Sequence, residues 1–414
     1  MKISQASNFY KRSAIDRVFF SLFIILIYII GSNIVLPGID STSLVNLLSN
    51  TPGLSLALSA TGFSINRLSL FSLGLGPWMS TMILWRVLSV SKIFKLQTLT
   101  QRQSYQIKFF ISLLLGIIQS LSIISQVKIF VSSDNYYFIE VVVILLCGLS
   151  VLIWLGNQNN ERGIGGPTII ILVSMVRTWP SRVINAIPKT TDFGVLGIEI
   201  FFLVSILLIV SYLIFRFYQG ERRLSKLHVM LDNQYAKQSY LPIPINPAGG
   251  MPFMYAFSIV LFPQYFVYLL RINNPNNKFI STIYKQIQLS QLTGILLLCV
   301  CVGVLSYGFA YVNVDYKEIS ENMKKSGDYF SGVYPGKNTE KYLFHKVSYM
   351  ATISALCNSL IIGIPMVMSL YWKELSTWAY FIPTWFILML LVYEIKVQFT
   401  SLYYRNNYQD VIRF

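Results

Sequence analysis

Uncharged apolar runs of about 20 residues recur along the whole chain, and each is long enough to cross about 30 Å of hydrocarbon as an α-helix. Short polar segments separate them. We therefore predict an all-α integral membrane protein with ten transmembrane helices. They are placed near residues 18–36, 70–90, 107–126, 138–156, 166–187, 195–217, 251–270, 290–312, 347–370 and 377–396.

The composition agrees with this pattern. Of 414 residues, 54% are hydrophobic and 12% are charged, and the mean hydropathy is +0.56. Soluble domains carry about 25% charged residues, so the water-soluble class is excluded. The first apolar run follows a basic start, as in a signal peptide, but it is too long and no A-x-A site follows it. We expect it to remain as the first helix.

Basic residues are distributed unevenly between alternate connecting segments. With a cytoplasmic N-terminus, 24 of the 33 Lys and Arg residues fall on the inside. The positive-inside rule then predicts a cell-membrane protein with both termini cytoplasmic. The net charge of +16 is explained by this topology and by contact with anionic lipid headgroups, so no nucleic-acid partner is needed.

The sequence offers little support for metal or cofactor chemistry. All four cysteines (Cys147, Cys299, Cys301 and Cys357) lie in apolar runs, and we expect them to be small core residues rather than disulfide partners or zinc ligands. The only histidines, His228 and His345, are far apart. Gly336-Lys337 resembles the end of a nucleotide-binding loop, but Asn338 stands where that motif needs Ser or Thr.

Two features point to a path through the protein. The segment 51–66 is apolar and uncharged but too short to span, so we expect non-helical backbone buried inside the protein. Gly74-Leu75-Gly76-Pro77-Trp78-Met79 and Gly249-Gly250-Met251-Pro252-Phe253-Met254 begin the second helix of each set of five. Such matched interruptions predict two inverted five-helix halves, at 1–190 and 191–414.

Charged side chains within and beside the helices bear on the kind of transport. Glu140, Glu199 and Glu394 fall near predicted helix ends, which weakens a proton-coupled carrier. A sodium-coupled carrier stays open, since backbone carbonyls can hold Na⁺. The long inside segments, 217–249 and 313–346, are rich in Lys and Arg. They are either solvated basic loops or a platform for a cytosolic motor or ribosome.

Six motifs in order resemble the bacterial SecY family, the pore-forming subunit of a protein-export translocase. They are LFSLGLGPWMS at 70–80, ERGIG at 161–165, GERR at 220–223, LPIPINPAGGMP at 241–252, NMKKSG at 322–327, and Pro335-Gly336 followed by Thr339 and Lys341-Tyr342. The resemblance extends from about Arg17 to Ser401.

Departures from the housekeeping pattern are informative. Val333-Tyr334 stands where housekeeping SecY usually has Ile-Arg, so the Arg that engages its motor is absent. Pro167 replaces a Gly, and the loop after Arg223 is short. These features are similar to the accessory SecY paralogue of some Gram-positive bacteria, which exports serine-rich glycosylated adhesins. Housekeeping SecY remains the alternative within the family.

The resemblance implies particular residue roles and partners, with no cofactor. An apolar pore ring would comprise Leu75, Met79, Leu172, Val176, Met254 and Ile387, and the plug Leu54, Leu56, Leu58 and Phe63. A side opening to lipid would lie between the second and third helices and the seventh and eighth. Motor docking would use Arg222, Arg223, Lys226, Lys324, Lys325, Tyr334 and Lys337. Implied partners are a SecA-type ATPase, a SecE-like small subunit, accessory secretion proteins, membrane lipids and an unfolded or glycosylated preprotein.

Two other classes of membrane protein stay in view. An inverted-repeat solute carrier would share the two-half architecture. A polytopic membrane enzyme comes last, because no clustered His, Asp or Cys set is evident in the sequence.

Overall fold

The computed structural model describes residues 2–36, 52–63, 68–90, 99–126, 135–186, 193–229, 239–371 and 376–409. The helices are α1 Lys2–Asn33, α2 Pro52–Ala60, α3 Gly76–Val90, α4 Gln101–Ile124, α5 Asn135–Arg162, α6 Thr168–Ala186, α7 Phe193–Gln219, α8 Met251–Asn273, α9 Lys278–Ile287, α10 Leu292–Asn313, α11 Tyr316–Ser326, α12 Lys337–Tyr371 and α13 Ser376–Gln409. The strands are β1 Glu221–Ser225, β2 Leu227–His228, β3 Tyr240–Pro244 and β4 Asp328–Tyr329.

Ten of the helices in these ranges have fifteen residues or more, and they correspond to the ten predicted crossings. By length and apolar composition alone, seven described helical stretches could cross a membrane. Shorter apolar stretches, Thr168–Pro180 and Val204–Gln219, lie in α6 and α7. The protein is therefore a multi-pass membrane protein with an all-α transmembrane region.

Several predicted helix boundaries were wrong. Helix α12 begins at Lys337 and α13 continues to Gln409, beyond the predicted 347 and 396. Hydropathy marks only the part of a helix that lies in hydrocarbon, whereas Lys, Glu and Gln continue a helix readily in water. In the opposite direction, residues 70–75 form turns, and α3 begins only at Gly76.

The two inverted five-helix halves are related by matched helix starts. Gly74 and Gly249 both have positive φ, 64° and 71°, a backbone conformation that glycine adopts without steric cost. Each lies two residues before the first residue of a helix, α3 or α8. Pro77 and Pro252 then occupy the first turn, where a missing N–H costs little. The matched Gly and Pro residues thus allow the chain to turn into a helix at equivalent positions of the two halves.

The main hydrophobic core lies where helices of the two halves meet. Phe253 of α8 and Phe386 of α13 are almost fully buried, and their rings meet edge to face at 5.0 Å between centroids. Helix α13 also packs against α1, α6 and α7. Cys147 is exposed on α5, so its expected place in the core was wrong: its side chain lies on the face of α5 that points away from the bundle.

The two long loops pack together as one folded unit rather than extending separately into solvent. Strand β1 pairs with β3 inside the first loop, and β2 of the first loop pairs with β4 of the second. A second core of buried apolar side chains lies beneath them: Leu224, Ile243, Met323, Phe330, Leu343, Val347 and Met350. We call β1 to β4 together with α11 the loop platform.

Candidate functional site

Helix α2 lies at the centre of the protein. It contacts α6 of the first half and α8 and α13 of the second half. Leu56, Leu58 and Phe63 are at most 4% exposed, and Leu54 is half-buried. The segment is buried as predicted, but the prediction of non-helical backbone was wrong for residues 52–60. A helix satisfies its own backbone hydrogen bonds, which a buried apolar environment requires.

The C-terminal end of the α2 segment is fixed by hydrogen bonds to its neighbours. The Leu75 N–H donates to the Thr61 carbonyl oxygen at 3.0 Å, and Ser174 Oγ of α6 donates to the Phe63 carbonyl oxygen at 3.3 Å. A Cβ atom at Gly74 would come within 2.7 Å of the Gly62 carbonyl carbon. The chain leaving α2 is thus packed directly against the start of α3.

Five of the six residues predicted for the pore ring join one core with α2. Leu75, Met79, Met254 and Ile387 are buried, at most 5% exposed, and Leu172 packs against them. Val176 differs, since it is 48% exposed and is not part of that core. The joined side chains carry no hydrogen-bonding group that could replace water around an ion.

The two seams between the halves have different chemistry. Where α6 meets α13, Trp179 packs on Trp385 with ring centroids 4.4 Å apart, and Phe381 packs on Trp179. Where α3 meets α8, Ser80 Oγ donates to the Ser258 carbonyl oxygen at 3.2 Å. The α6–α13 seam is thus aromatic, whereas the α3–α8 seam includes a hydrogen bond from a side chain to the backbone.

Buried polar side chains line a small pocket in the α3–α8 seam. They are Thr61, Ser80, Gln119 and Ser258, together with the phenol of Tyr265. Gln119 Nε2 donates to the Leu73 carbonyl oxygen at 3.4 Å. Our sequence reasoning missed these residues. Ser80, Gln119 and Ser258 carried a signal, because each interrupts an otherwise apolar run on a predicted helix. Thr61 lies in the segment 51–66, outside the predicted helices.

A second cluster holds the chain reversal before α8, and sequence reasoning misjudged one member. Glu394 accepts a hydrogen bond from the Gly250 N–H at 2.9 Å. Asn313 Nδ2 donates to the Pro247 and Ala248 carbonyl oxygens at 3.0 and 3.1 Å. Glu394 therefore lies within α13, not near its end, and its carboxylate binds the N-terminus of α8.

Two of the basic residues predicted for motor docking are engaged within the loop platform. The Lys226 ammonium lies 2.9 Å from the Asp328 carboxylate, and this ion pair joins the first loop to the second. Arg223 pairs with Glu221 at 2.8 Å. Arg222 is half-buried on β1. The Lys226 charge is thus paired within the protein, whereas Arg223 remains largely exposed beside Glu221.

The other predicted docking residues extend into solvent. Lys324 and Lys325 are exposed in the last turn of α11, and Lys337 is exposed at the start of α12. Tyr334 is 80% exposed, and its backbone carbonyl accepts a hydrogen bond from Thr339 Oγ1 at 3.1 Å. The side chain of Tyr334 is thus presented on a turn whose backbone is held in place.

Metal binding has no support in the described ranges. No group of three or more His, Cys, Asp or Glu side chains there is positioned to hold a metal ion. The described residues thus bring together an apolar core from both halves, the buried helix α2 within it, and a small polar pocket between α3 and α8.

Comparisons with known proteins agree with this geometry. The SecY family model matches residues 69–396. An accessory Sec system protein translocase subunit SecY2 from Leuconostoc gelidum subsp. gasicomitatum is 33% identical over 410 residues, covering 95% of this chain and 96% of the relative. The protein of the same name from Streptococcus parasanguinis is 36% identical and covers 88% of each chain.

Solved structures show the same fold. A structure described as the plug domain of the SecY protein stabilising the closed state of the translocation channel aligns with a TM-score of 0.65 at 14% identity, covering 95% of this chain and 93% of that one. Sec61 in the canine ribosome-channel complex aligns with a TM-score of 0.57 at 12% identity, with the same coverage. The matched family model spans most of the chain, and the chain belongs to the SecY family.

Proposed function

We propose that this protein is the channel subunit of an accessory Sec system, through which unfolded serine-rich polypeptides cross the cytoplasmic membrane. The single observation that carries the proposal is the position of α2, an apolar helix buried between helices of both halves. A solute carrier needs a ligand site at this depth, whereas a channel that is closed at rest needs a removable seal. The relatives named as accessory SecY2 subunits support the accessory branch.

Apolar side chains seal the proposed resting state. They are the ring residues Leu75, Met79, Leu172, Met254 and Ile387 and the side chains of α2, which belong to one hydrophobic core. Ions cannot cross such a constriction because it lacks both water and polar ligands. Opening requires α2 to leave the centre, and lateral release of an apolar segment requires the α3–α8 seam to part.

The chemical energy for transport comes from a partner that docks on the loop platform. A SecA-type ATPase, in this system an accessory one, meets the exposed charges of Lys324 and Lys325 on the platform, and the charge of Lys337 and the exposed ring of Tyr334 in the chain that follows it. Opposite charge steers such an encounter, and an exposed aromatic ring contributes packing area without fixed charge. The proposed assembly also contains a SecE-like membrane subunit and accessory secretion proteins.

The proposed orientation places both termini and the loop platform in the cytoplasm. It rests on the excess of Lys and Arg in the segments assigned to the inside, 24 of 33. The substrate then enters from the platform side, unfolded or already glycosylated.

Two alternative functions differ from this proposal, a housekeeping protein channel and a solute carrier. A housekeeping channel would use the general motor, and Tyr334 in place of Arg argues against it. An inverted-repeat solute carrier would need an ion-coupling site, and the buried Glu394 carboxylate is instead engaged by the Gly250 N–H. Neither has the support that the buried α2 gives to a sealed polypeptide channel.

The test is export in cells that depend on this chain. A strain lacking its own accessory channel, complemented with the chain and its motor, should secrete a serine-rich preprotein, and the same strain with an empty vector should retain it. Secretion at the same level from both strains would contradict the proposal. Solute uptake by the purified protein alone in liposomes would favour the carrier.

A further inference from the structure

Helix α9, Lys278–Ile287, connects two helices that are long and apolar enough to cross a membrane. Residues 274–277 join it to the end of α8, and residues 288–291 join it to the start of α10. Either connection, fully extended, reaches at most about 17 Å, so α9 lies close to the membrane surface at which both helices end. This surface is opposite the loop platform, because β3 precedes α8 and α11 follows α10 at their other ends.

The sequence of α9 separates apolar from polar side chains. Side chains three or four positions apart lie on the same side of an α-helix, so one face of α9 is apolar and the other is polar. The apolar face consists of Phe279, Ile280, Ile283, Tyr284 and Ile287, and the polar face of Lys278, Ser281, Thr282, Lys285 and Gln286. Such a division is typical of a helix that lies along the boundary between an apolar and an aqueous medium.

Two contacts hold α9 against the helical bundle. The Tyr284 ring packs on the Tyr268 ring of α8, with centroids 5.6 Å apart. Thr293 Oγ1 of α10 donates a hydrogen bond to the Gln286 carbonyl oxygen at 2.7 Å. None of the residues of α9 is buried, however, so the bundle leaves part of the apolar face open.

Phe279 lies at the edge of the apolar face that is farther from Tyr284, and it is 72% exposed. Its backbone N–H donates to the Asn277 side chain at 3.0 Å, which fixes the first turn of the helix. The outer side of α9, about 15 Å long and about 10 Å wide, offers only about 150 Å². A specific protein partner would cover about 800 Å² of this chain. Lipid has no such requirement, so it is the better occupant of this small face.

The charges next to this face also suit a lipid surface. Residues 271–291 include Arg271, Lys278 and Lys285 and neither Asp nor Glu. The Arg271 guanidinium lies 5.1 Å from the centroid of the Tyr284 ring, so this charge is beside α9. Long basic side chains lie along apolar groups while their charged ends reach the headgroup region, where phosphate oxygens accept hydrogen bonds.

We propose that α9 is an interfacial helix that lies along the membrane surface opposite the platform, with Phe279 inserted among the lipids. Its partner is the phospholipid surface itself, at the boundary between headgroups and acyl chains. The chain after α9 returns to the core, where Leu289 is buried against Gly53 of α2. The interfacial helix therefore adjoins the proposed seal, and this last point alone rests on the proposed channel function.

Site-specific fluorescence in phosphatidylcholine vesicles tests the position of α9. Phe279→Cys and, as the control on the exposed polar face, Thr282→Cys are introduced separately into the full-length protein with every native cysteine replaced by Ala. Each is labelled with a nitrobenzoxadiazole group. Quenching by lipid with a nitroxide on its acyl chain is compared with quenching by iodide in the water. Because an interfacial helix buries its apolar face by about 5–10 Å, we expect the ratio of lipid to iodide quenching to be about fivefold higher at position 279.

Equal ratios at the two positions would overturn the proposal. A label at position 279 that neither quencher reaches would overturn it too, because a protein surface would then cover this face. Unlabelled protein with its native cysteines provides a second measurement. Photoactivatable phosphatidylcholine should crosslink to residues 278–287, and Phe279→Ser should lower the yield several-fold while Thr282→Ser leaves it unchanged. Absence of these crosslinks, or equal yields from both variants, would contradict the interfacial position. Neither measurement requires transport, so both are independent of the proposed channel function.

Discussion

The Lys226 ammonium of the first long loop donates a hydrogen bond to the Asp328 carboxylate of the second loop at 2.9 Å. Asp328 is 11% exposed and Lys226 30% exposed, so the pair is partly shielded from water. It lies beside the short β2–β4 pairing, the only strand pairing between the two loops within the described residues. A single ion pair thus helps to hold the two loops as one platform.

Replacing Asp328 with Asn should loosen this junction. The loss should be about 1 kcal/mol, because a partly exposed pair contributes little more than a surface one. Hydrogen exchange of residues 227–229 and 327–330 should rise by about fivefold, the ratio that such a free-energy change gives. Glu221→Gln is the matched control, since it removes an exposed pair within one strand. Unchanged exchange in Asp328→Asn would show that the strand pairing and core suffice.

Tyr334 should determine which motor the channel accepts. Its side chain is 80% exposed, so Tyr334→Arg should leave the fold and the channel abundance unchanged. We expect the variant to export the serine-rich substrate equally or less well with the accessory motor and better with the housekeeping motor, because a fixed charge is restored. The readout is secreted substrate in cells holding one motor or the other.

The control for Tyr334 is Ser331→Arg, which adds the same charge at an exposed position of the same turn. It should not change the choice of motor. Full export by the housekeeping motor through the unmodified protein would remove the discriminating role of Tyr334. Charge reversal at Lys324 and Lys325 should instead lower export with either motor, more strongly at low salt.

The apolar ring should be the seal against ions. Leu75→Ser with Met254→Ser puts one hydroxyl from each half into the constriction, and a polar lining admits water and ions. Planar-bilayer recordings should show a conductance above background, as they should after deletion of residues 54–60. Leu114→Ser is the control, since Leu114 is exposed on the outer face of α4. Background conductance in both the ring and deletion variants would refute the assignment.

Glu394 should act as a structural acceptor rather than as a proton carrier. Glu394→Gln retains an oxygen that can accept from the Gly250 N–H, so export should stay near normal. Glu394→Leu leaves that N–H without its acceptor, at a cost of about 2 kcal/mol, and should lower the melting temperature and the export rate. Loss of transport in Glu394→Gln with an unchanged melting temperature would instead point to proton chemistry.

The apolar runs predicted the number and order of the long helices because each crossing must be long and apolar wherever it lies. Boundaries were less predictable. The start of α12 at Lys337 lies in polar sequence, where helix formation depends on propensity and on packing against α11. The helical state of residues 52–60 depends on burial by α6, α8 and α13. These long-range contacts could not be predicted from the local sequence pattern.

In the candidate site, too, some features have a local sequence signal and others depend on residues that are distant in the chain. The roles of Leu75 and Met254 in the pore ring came from the resemblance to SecY and stay a prediction; the local sequence indicated only the Gly/Pro interruptions at 74–79 and 249–254 in which they lie. The partner of Lys226 lies 102 residues away, and that of Glu394 lies 144 residues away. Long-range pairs of this kind leave no periodic signal. A charged residue such as Lys226 can therefore be predicted to bind a partner protein when it instead forms an ion pair within its own chain.

The bond between the Leu75 N–H and the Thr61 carbonyl would give the proposed seal a hinge. Helix α2 is attached at its C-terminal end, where Gly62 has a φ of 85°. Its other end lies beside Leu289, about 13 Å away along nine helical residues. If the bond persists during transport, α2 would rotate about residues 61–63 and remain at the mouth of the channel. Because α2 belongs to the same chain as the ring residues, resealing would be intramolecular, and its rate would not depend on how many channels the membrane contains.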